Sequence, residues 1–273
     1  MPLSRREAAS EPQLPFPWEA AGSLSGPEFA SLWKSLLRGG YPELAAHPDR
    51  SLHLWHASYV QTCLERDVRS IRQVGDLTSF QVFLSALAAR AGQLLSLSGL
   101  ARDLGVAVNT TKAWLSVLEA THQVFILRPY FANVGKRLVK TPKVYFTDTG
   151  TLCHLAGLRD PGHAAAGPLG GAIFETAVLA EIVKTFLSRG EEPRVYFWRT
   201  SDGTEVDFVV DMGSHLAPIE VKLSATPHLG MAAGIRTFQK LHGGKAAPGY
   251  VIHPGVVRLP LAPGVTALPF GAF

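Results

Sequence analysis

Apolar positions along this chain keep two different periods, and the change from one to the other divides it. Over residues 26–37 they recur at three- and four-residue spacing, which predicts one short amphipathic helix, stopped by Gly39-Gly40-Tyr41-Pro42. From 51 to about 71, Leu54, Trp55, Tyr59, Val60, Cys63, Leu64 and Val68 keep helical spacing. A further helix is expected over 80–91, with Phe80, Phe83, Leu84, Leu87 and Ala88 on one face. Residues 98–105 read as a short helix closed by Gly105, and 106–109 as a turn. Asn109 then serves as N-cap of a helix over 110–120, striped by Ala113, Trp114, Val117 and Leu118. Helix, tight turn and helix make a helix-turn-helix. Two strand-like runs, 123–130 and 143–147, joined by a basic loop, have the pattern of a wing.

Residues 156–171 are rich in Gly, Ala, Pro and His and read as a linker. Beyond them come a helix over 172–188, strands at 194–199, 205–211 and 216–223, a helix over 231–241, and a strand at 250–253 before a Pro-punctuated tail. Helices alternating with strands predict a mixed α/β domain. The expected division is 1–50, 51–155 (helical and winged-helix), the linker 156–171, and an α/β domain over 172–273. The first piece carries too few apolar residues to bury a core alone.

Composition narrows the class. With 273 residues, 47% hydrophobic and 18% charged, the chain is long and apolar enough for about two packed domains and is not a disordered one. A net charge of +4 leans weakly toward anionic partners. Two cysteines, Cys63 and Cys153, give neither a disulfide framework nor a zinc CxxC pair, which fits a reducing cytoplasm. No apolar run has the length of a membrane span, so no membrane partner is expected.

The most informative chemistry lies in the α/β part. Alternation along 205–211 places Glu205 and Asp207 on one strand face and Val206, Phe208 and Val210 on the other. In the next strand Glu220 and Lys222 lie opposite Ile219, Val221 and Leu223, and the short connection with Gly213 predicts a hairpin. Asp207, Glu220 and Lys222 then share one side of a sheet. Two carboxylates there offer oxygen ligands to Mg²⁺ or Mn²⁺, and a neighbouring Lys can orient a water, a set suited to phosphodiester hydrolysis. Glu175, in the helix opening after Gly170-Gly171, is a candidate third ligand. The competing reading is an amphipathic hairpin with a solvated charged face.

Glu175, the run Thr204-Glu205-Val206-Asp207-Phe208 and Ile219-Glu220-Val221-Lys222 resemble the core of the PD-(D/E)XK nuclease superfamily. Further segments extend the likeness: Leu37-Leu-Arg-Gly-Gly-Tyr-Pro-Glu, Leu64-Glu-Arg-Asp-Val, Gly135-Lys-Arg-Leu and Pro142-Lys-Val-Tyr-Phe-Thr-Asp-Thr-Gly. Together they resemble the C-terminal half of prokaryotic AAA+-like ATP-binding proteins that end in a PD-(D/E)XK-like domain. The resemblance implies that 1–50 is a remnant of an ATPase lid. It also implies that Asp207 and Glu220 bind metal with Glu175, and that Lys222 acts on water. The chain lacks the GxxxxGK[ST] phosphate loop, so no ATP site is expected in it and an ATPase would be a partner or a missing half.

A second constellation is electrostatic. Residues 121–147 hold no acidic residue, yet Arg128, Lys136, Arg137, Lys140 and Lys143 fall there. A wing so charged would grip the phosphates of nucleic acid, DNA in the first place, while Thr110, Thr111 or Lys112 reach base edges. The competing reading of the wing is a winged helix used only for packing or protein contacts; for the whole chain it is a catalytically silent DNA- or protein-binding module accessory to an ATPase. Three weaker signals are read as structural: Asp148-Thr149-Gly150 as a turn, His53 with His56 and Cys63 as packing, and Arg38 as a helix-end residue near carbonyls.

Overall fold

The computed structural model describes residues 1–11, 15–19, 29–64, 77–130, 140–246 and 248–273, with the backbone alone at 63 and 64. The fold is mixed α/β and divides into two compact units. One comprises Met1–Leu3, Trp33–Ile126 and Pro142–Ala177. The other comprises Ser4–Leu32, Leu127–Thr141 and Val178–Phe273.

In the first unit, α2 (Phe29–Arg38; α1 is Arg5–Ala8) stops at Gly39, which takes φ +77°. A side chain there would fail twice, because an added Cβ would also lie 2.5 Å from the Asp148 carboxylate. Gly40 donates its N–H to that carboxylate at 2.7 Å. Pro42 opens α3 (Pro42–Ala46), and the Arg38 guanidinium donates to the carbonyls of Leu44 and His47 at its far end. α4 (Leu52–Tyr59) runs into a single π-turn, Val60–Leu64. The remaining residues of the helix expected to reach 71 lie outside the described residues.

α5 (Leu77–Ala88) buries Phe80, Phe83, Leu84, Leu87 and Ala88, the stripe the spacing predicts. α6 (Leu97–Leu104) is capped by Ser96 and closed by Gly105 in the left-handed region. α7 is Val108–Ala120, with Ala107 at its N-cap and no side-chain cap. Asn109 is therefore a first-turn residue and not the cap the sequence suggests. Trp114 of α7 packs against Phe80 and Phe83, with ring centroids 5.5 and 5.3 Å away. Strands β1 (Val124–Leu127) and β2 (Lys143–Phe146) pair, and residues 92–95 bond to the other side of β2 through Gly92 and Leu95. The result is a helix-turn-helix with a small sheet beside it, its 131–139 loop outside the described residues.

Asp148 caps α8 (Thr149–Leu155), accepting from Thr151 N–H at 2.7 Å, so Asp148-Thr149-Gly150 is a helix start. The stretch expected as a linker is helical in part. Asp160 caps α9 (Pro161–Ala166), and α10 (Gly170–Ser188) begins inside the glycine-rich run. The Asp160 cap and Pro161 at the first helical position are the local cause.

The second unit is built on a six-stranded sheet: β3 (Val195–Arg199), β4 (Glu205–Asp211), β5 (Leu216–Val221), β6 (Gly249–His253), β7 (Leu259–Ala262) and β8 (Val265–Pro269), in the order β3-β4-β5-β6-β8-β7. β3, β4 and β5 form an antiparallel meander, with Gly213 at φ +80° in the β4–β5 turn. β5, β6 and β8 are parallel, and β7 closes the edge antiparallel. α11 (Ala233–His242), entered through a short 3-10 turn, packs Phe238 against Trp198, Val206, Val209 and Leu216.

Part of the expected lid remnant belongs here. Arg5, Arg6, Phe16 and Trp18 are anchored on this unit by buried charge and aromatic contact. Arg5 N–H donates to Glu181 of α10, and the Arg6 guanidinium, buried, donates to the carbonyl of Ala272 at 3.0 Å. Phe16 sits edge-on to Phe186, and Trp18 stacks on Tyr250. Burial pushes the Glu181 carboxyl above its ordinary range, opposed by Lys184, Arg5 and Arg6. Among the described residues, no helix is long and apolar enough to cross a membrane.

Candidate functional site

Between Tyr196 and Trp198, β3 advances two residues while its partner β4 runs from Val209 to Val206, three residues. The extra residue is a bulge in β4 at Asp207–Phe208. It breaks strict alternation, and Val206 and Val209 enter the same core cluster as Phe238. Bulges re-aim side chains and end pairing, and they recur beside active sites.

The β4–β5 ladder pairs Phe208 with Ile219 and stops there, one step short of Asp207 and Glu220. In place of the next backbone bond, the Asp207 carboxylate accepts from Val221 N–H at 2.8 Å. Its side chain is thereby fixed at the point where β5 leaves β4 and continues beside β6, with Glu220 opposite Val251.

Lys222 completes the cluster. Its ammonium lies 2.7 Å from Glu220 Oε2 and 3.8 Å from Asp207 Oδ2. Glu220 is buried and Asp207 nearly so, while the Lys222 side chain is 37% exposed and marks the open side. Burial, then the neighbouring Asp207 charge, pushes the Glu220 carboxyl up to about 9 against the pull of Lys222. At neutral pH Glu220 therefore favours its protonated form. Glu220 Oε1 is pressed against Gly234 in the first turn of α11. A Cβ at Gly234 would come 2.3 Å from that oxygen and 2.2 Å from the carbonyl of Glu205.

Of the residues singled out from sequence, Asp207, Glu220 and Lys222 are brought together. Glu175 belongs to the first unit, where it accepts from the Tyr145 hydroxyl and pairs with the Lys143 ammonium at 3.4 Å. Lys143 is consequently buried, its charge compensated inside the unit, and it is not the exposed phosphate contact the basic run suggests. Thr111 is likewise fully buried, its hydroxyl bonded to the carbonyl of Val108, and cannot reach a base edge. Lys112, Arg128 and Lys140 are exposed, and Lys136 and Arg137 lie outside the described residues. His56 is buried, bonds through Nε2 to the carbonyl of Arg38 and stacks on His154. Among the described residues, no group of three or more His, Cys, Asp or Glu side chains is placed to hold a metal. Within the second unit, Asp207 and Glu220 are the two carboxylates beside Lys222. The bulge and the Gly234 contact are what sequence reasoning missed. A glycine inside a helix costs about 1 kcal/mol relative to alanine and so points to close packing, a signal available for Gly234.

The paired carboxylates and lysine on a mixed α/β sheet define the chemistry against which relatives can be compared. Residues 170–273 match a domain of unknown function, DUF4143, a domain often found with AAA-like ATPase domains, and residues 30–162 match a second, DUF8612. Over 241 residues the chain is 32% identical to an uncharacterised protein of Mycobacterium bovis and to one of Mycobacterium tuberculosis, a stretch that covers 87% of this chain and 52% of each relative. The chain thus spans about half the length of the curated relatives it matches. No solved structure matches it.

Proposed function

We propose that the second unit is a PD-(D/E)XK-like module for phosphodiester chemistry on nucleic acid, and that the helix-turn-helix beside the small sheet holds DNA. The observation that carries the reading is the meeting of Asp207, Glu220 and Lys222 at the bulged end of β4. Their donor set fits Mg²⁺ or Mn²⁺, since Mg²⁺ commonly takes one or two carboxylates and keeps several waters. When bound there, such an ion supplies a Lewis acid for a phosphoryl oxygen.

The chain's own residues have separate tasks. Asp207 is held by Val221 N–H, so its carboxylate has a fixed direction. Glu220 must give up its proton before it can serve as a ligand, and burial makes that the costly step. Lys222, on the open side, releases the carboxylates and offers its N–H donors to a phosphate oxygen or to the attacking water. Exposed Lys112, within the helix-turn-helix, supplies a phosphate contact there. The association with AAA-like ATPase domains supports an ATP-driven partner for the module.

The second reading, a silent accessory module, is favoured by the same ammonium, which already occupies the place between the carboxylates. Calorimetric titration with Mn²⁺ tests the proposed site. Wild type should bind one ion, and Asp207→Asn, which keeps an acceptor for Val221 N–H, should lose it. Equal binding by both proteins would place any metal elsewhere and refute the assignment.

A further inference from the structure

The first unit carries a cleft of about 440 Å³ beside α3 and α4, within the range of roughly 300–1,000 Å³ typical of small-molecule sites. One wall is aromatic. Trp55 and Tyr59, one turn apart on α4, lie parallel with centroids 5.3 Å apart and planes 7° apart. Tyr41 braces both from 4.8 and 4.6 Å. The Trp55 indole N–H donates to Glu43 Oε2 at 2.9 Å, and the Gln123 amide donates to the Tyr59 hydroxyl at 2.9 Å. The rings are thus fixed, and the wall is preformed.

The polar side is chemically distinct. Arg50 pairs with the other oxygen of Glu43, so that carboxylate is charge-compensated with both oxygens engaged. Among the described residues, one nitrogen of the Arg50 fork is so used, and the side chain is 46% exposed. Ser58 adds a hydroxyl, and Ser51 does not spend its own on capping α4. Thr62 lines the cleft from the π-turn, a feature that gathers at functional sites. The outer face of an aromatic stack beside a guanidinium and hydroxyls suits a planar heterocycle joined to a phosphate: rings stack on bases without regard to sequence, and Arg pairs with phosphate in a fork.

We infer that this cleft binds a nucleotide unit, its base against Trp55 and Tyr59 and its phosphate at Arg50. The unit is either a free nucleotide or one residue of a single strand. The site lies within the first unit and needs no divalent ion, so it stands or falls independently of Asp207 and Glu220.

The test is a titration of the full chain, in chelator, with adenosine and uridine monophosphates, inorganic phosphate and a short single-stranded oligonucleotide, followed by tryptophan fluorescence and calorimetry. Nucleotide should quench fluorescence, and the quench should vanish in Trp55→Phe. Affinity should fall at least tenfold in Arg50→Ala and in Leu54→Glu. Leu54 is 69% exposed on the cleft's lip, so its variant keeps the fold even where loss of the Glu43 partner disturbs the other. Binding of the strand without the mononucleotides, lost in Leu54→Glu, identifies the strand as the source. Phosphate binding as tight as nucleotide binding would contradict the role of the rings. Absence of binding to nucleotide and strand alike, or binding unchanged in both variants, would overturn the proposal.

Discussion

Replacing Lys222 by Met keeps the aliphatic stem and removes the ammonium that lies 2.7 Å from Glu220 and 3.8 Å from Asp207. Removing one partner of a fully buried ion pair costs about 3–5 kcal/mol, because a charge is left uncompensated. Two features reduce that here. The Lys222 side chain is 37% exposed, so solvent already screens it. Glu220, pushed up to about 9, carries a proton at neutral pH in place of a charge. The expected loss is therefore about 1 kcal/mol, or roughly 2–4 °C in Tm for a chain of this size. The second effect has the opposite sign. With the ammonium gone, nothing competes for the place between the carboxylates, so the Tm rise produced by excess Mg²⁺ should be larger in the variant than in wild type. Thermal melts of both proteins, with chelator and then with Mg²⁺, read the two effects separately. A variant as stable as wild type in chelator, with no larger rise in Mg²⁺, would refute the view that Lys222 acts as the resident counter-ion.

Two further outcomes follow from the geometry. Gly234→Ala drives a Cβ to within 2.3 Å of both the Glu205 carbonyl and Glu220 Oε1; the strain should cost about 1–3 kcal/mol in a denaturant melt, and it should weaken Mn²⁺ binding as well. In the first unit, burial, aided by His56, His53 and Arg159, pushes His154 down from 6.5 to about 4, and burial lowers His56 against the pull of Asp148. The unfolded chain takes up protons below about pH 6.5 that the folded unit refuses until about pH 4, so stability held above pH 6.5 should decline as pH falls toward 4; urea melts across that range check the sign, and His154→Gln should flatten the slope.

Helical stripes were legible wherever the burying partner lies close in sequence. Phe80, Phe83, Leu84 and Leu87 gave α5, and Trp114 gave α7, because i, i+3 and i+4 spacing reports one face whatever covers it. The β4–β5 hairpin was equally plain from alternation and Gly213. Bulging at Asp207 was not read, although Val209, an apolar residue on the face assigned to Glu205 and Asp207, already breaks the alternation; the cause lies in how β3 pairs. Strands β7 and β8 hid behind Pro260 and Pro269, which a sheet tolerates at its edge and at a strand's end. Phe16 and Trp18 sit in a Pro-rich run too short to show a period, although they anchor the N-terminal segment. Lys143 looked like one of a basic series, and its partner Glu175 is 32 residues away, beyond any local rule. The three residues of the candidate site could be named because they fall on two adjacent strands or, for Lys222, one residue past the end of β5; their ammonium-bridged arrangement required the fold.

The central claim is that Asp207, Glu220 and Lys222 serve phosphodiester cleavage. Its most direct test is incubation of the full chain with end-labelled single-stranded, duplex and branched DNA in Mn²⁺ or Mg²⁺, alongside Asp207→Asn and Lys222→Met. Wild type should cleave at least one substrate in a metal-dependent way, and both variants should lose that cleavage. Intact DNA in every wild-type reaction, or cleavage that persists in Asp207→Asn, would contradict it.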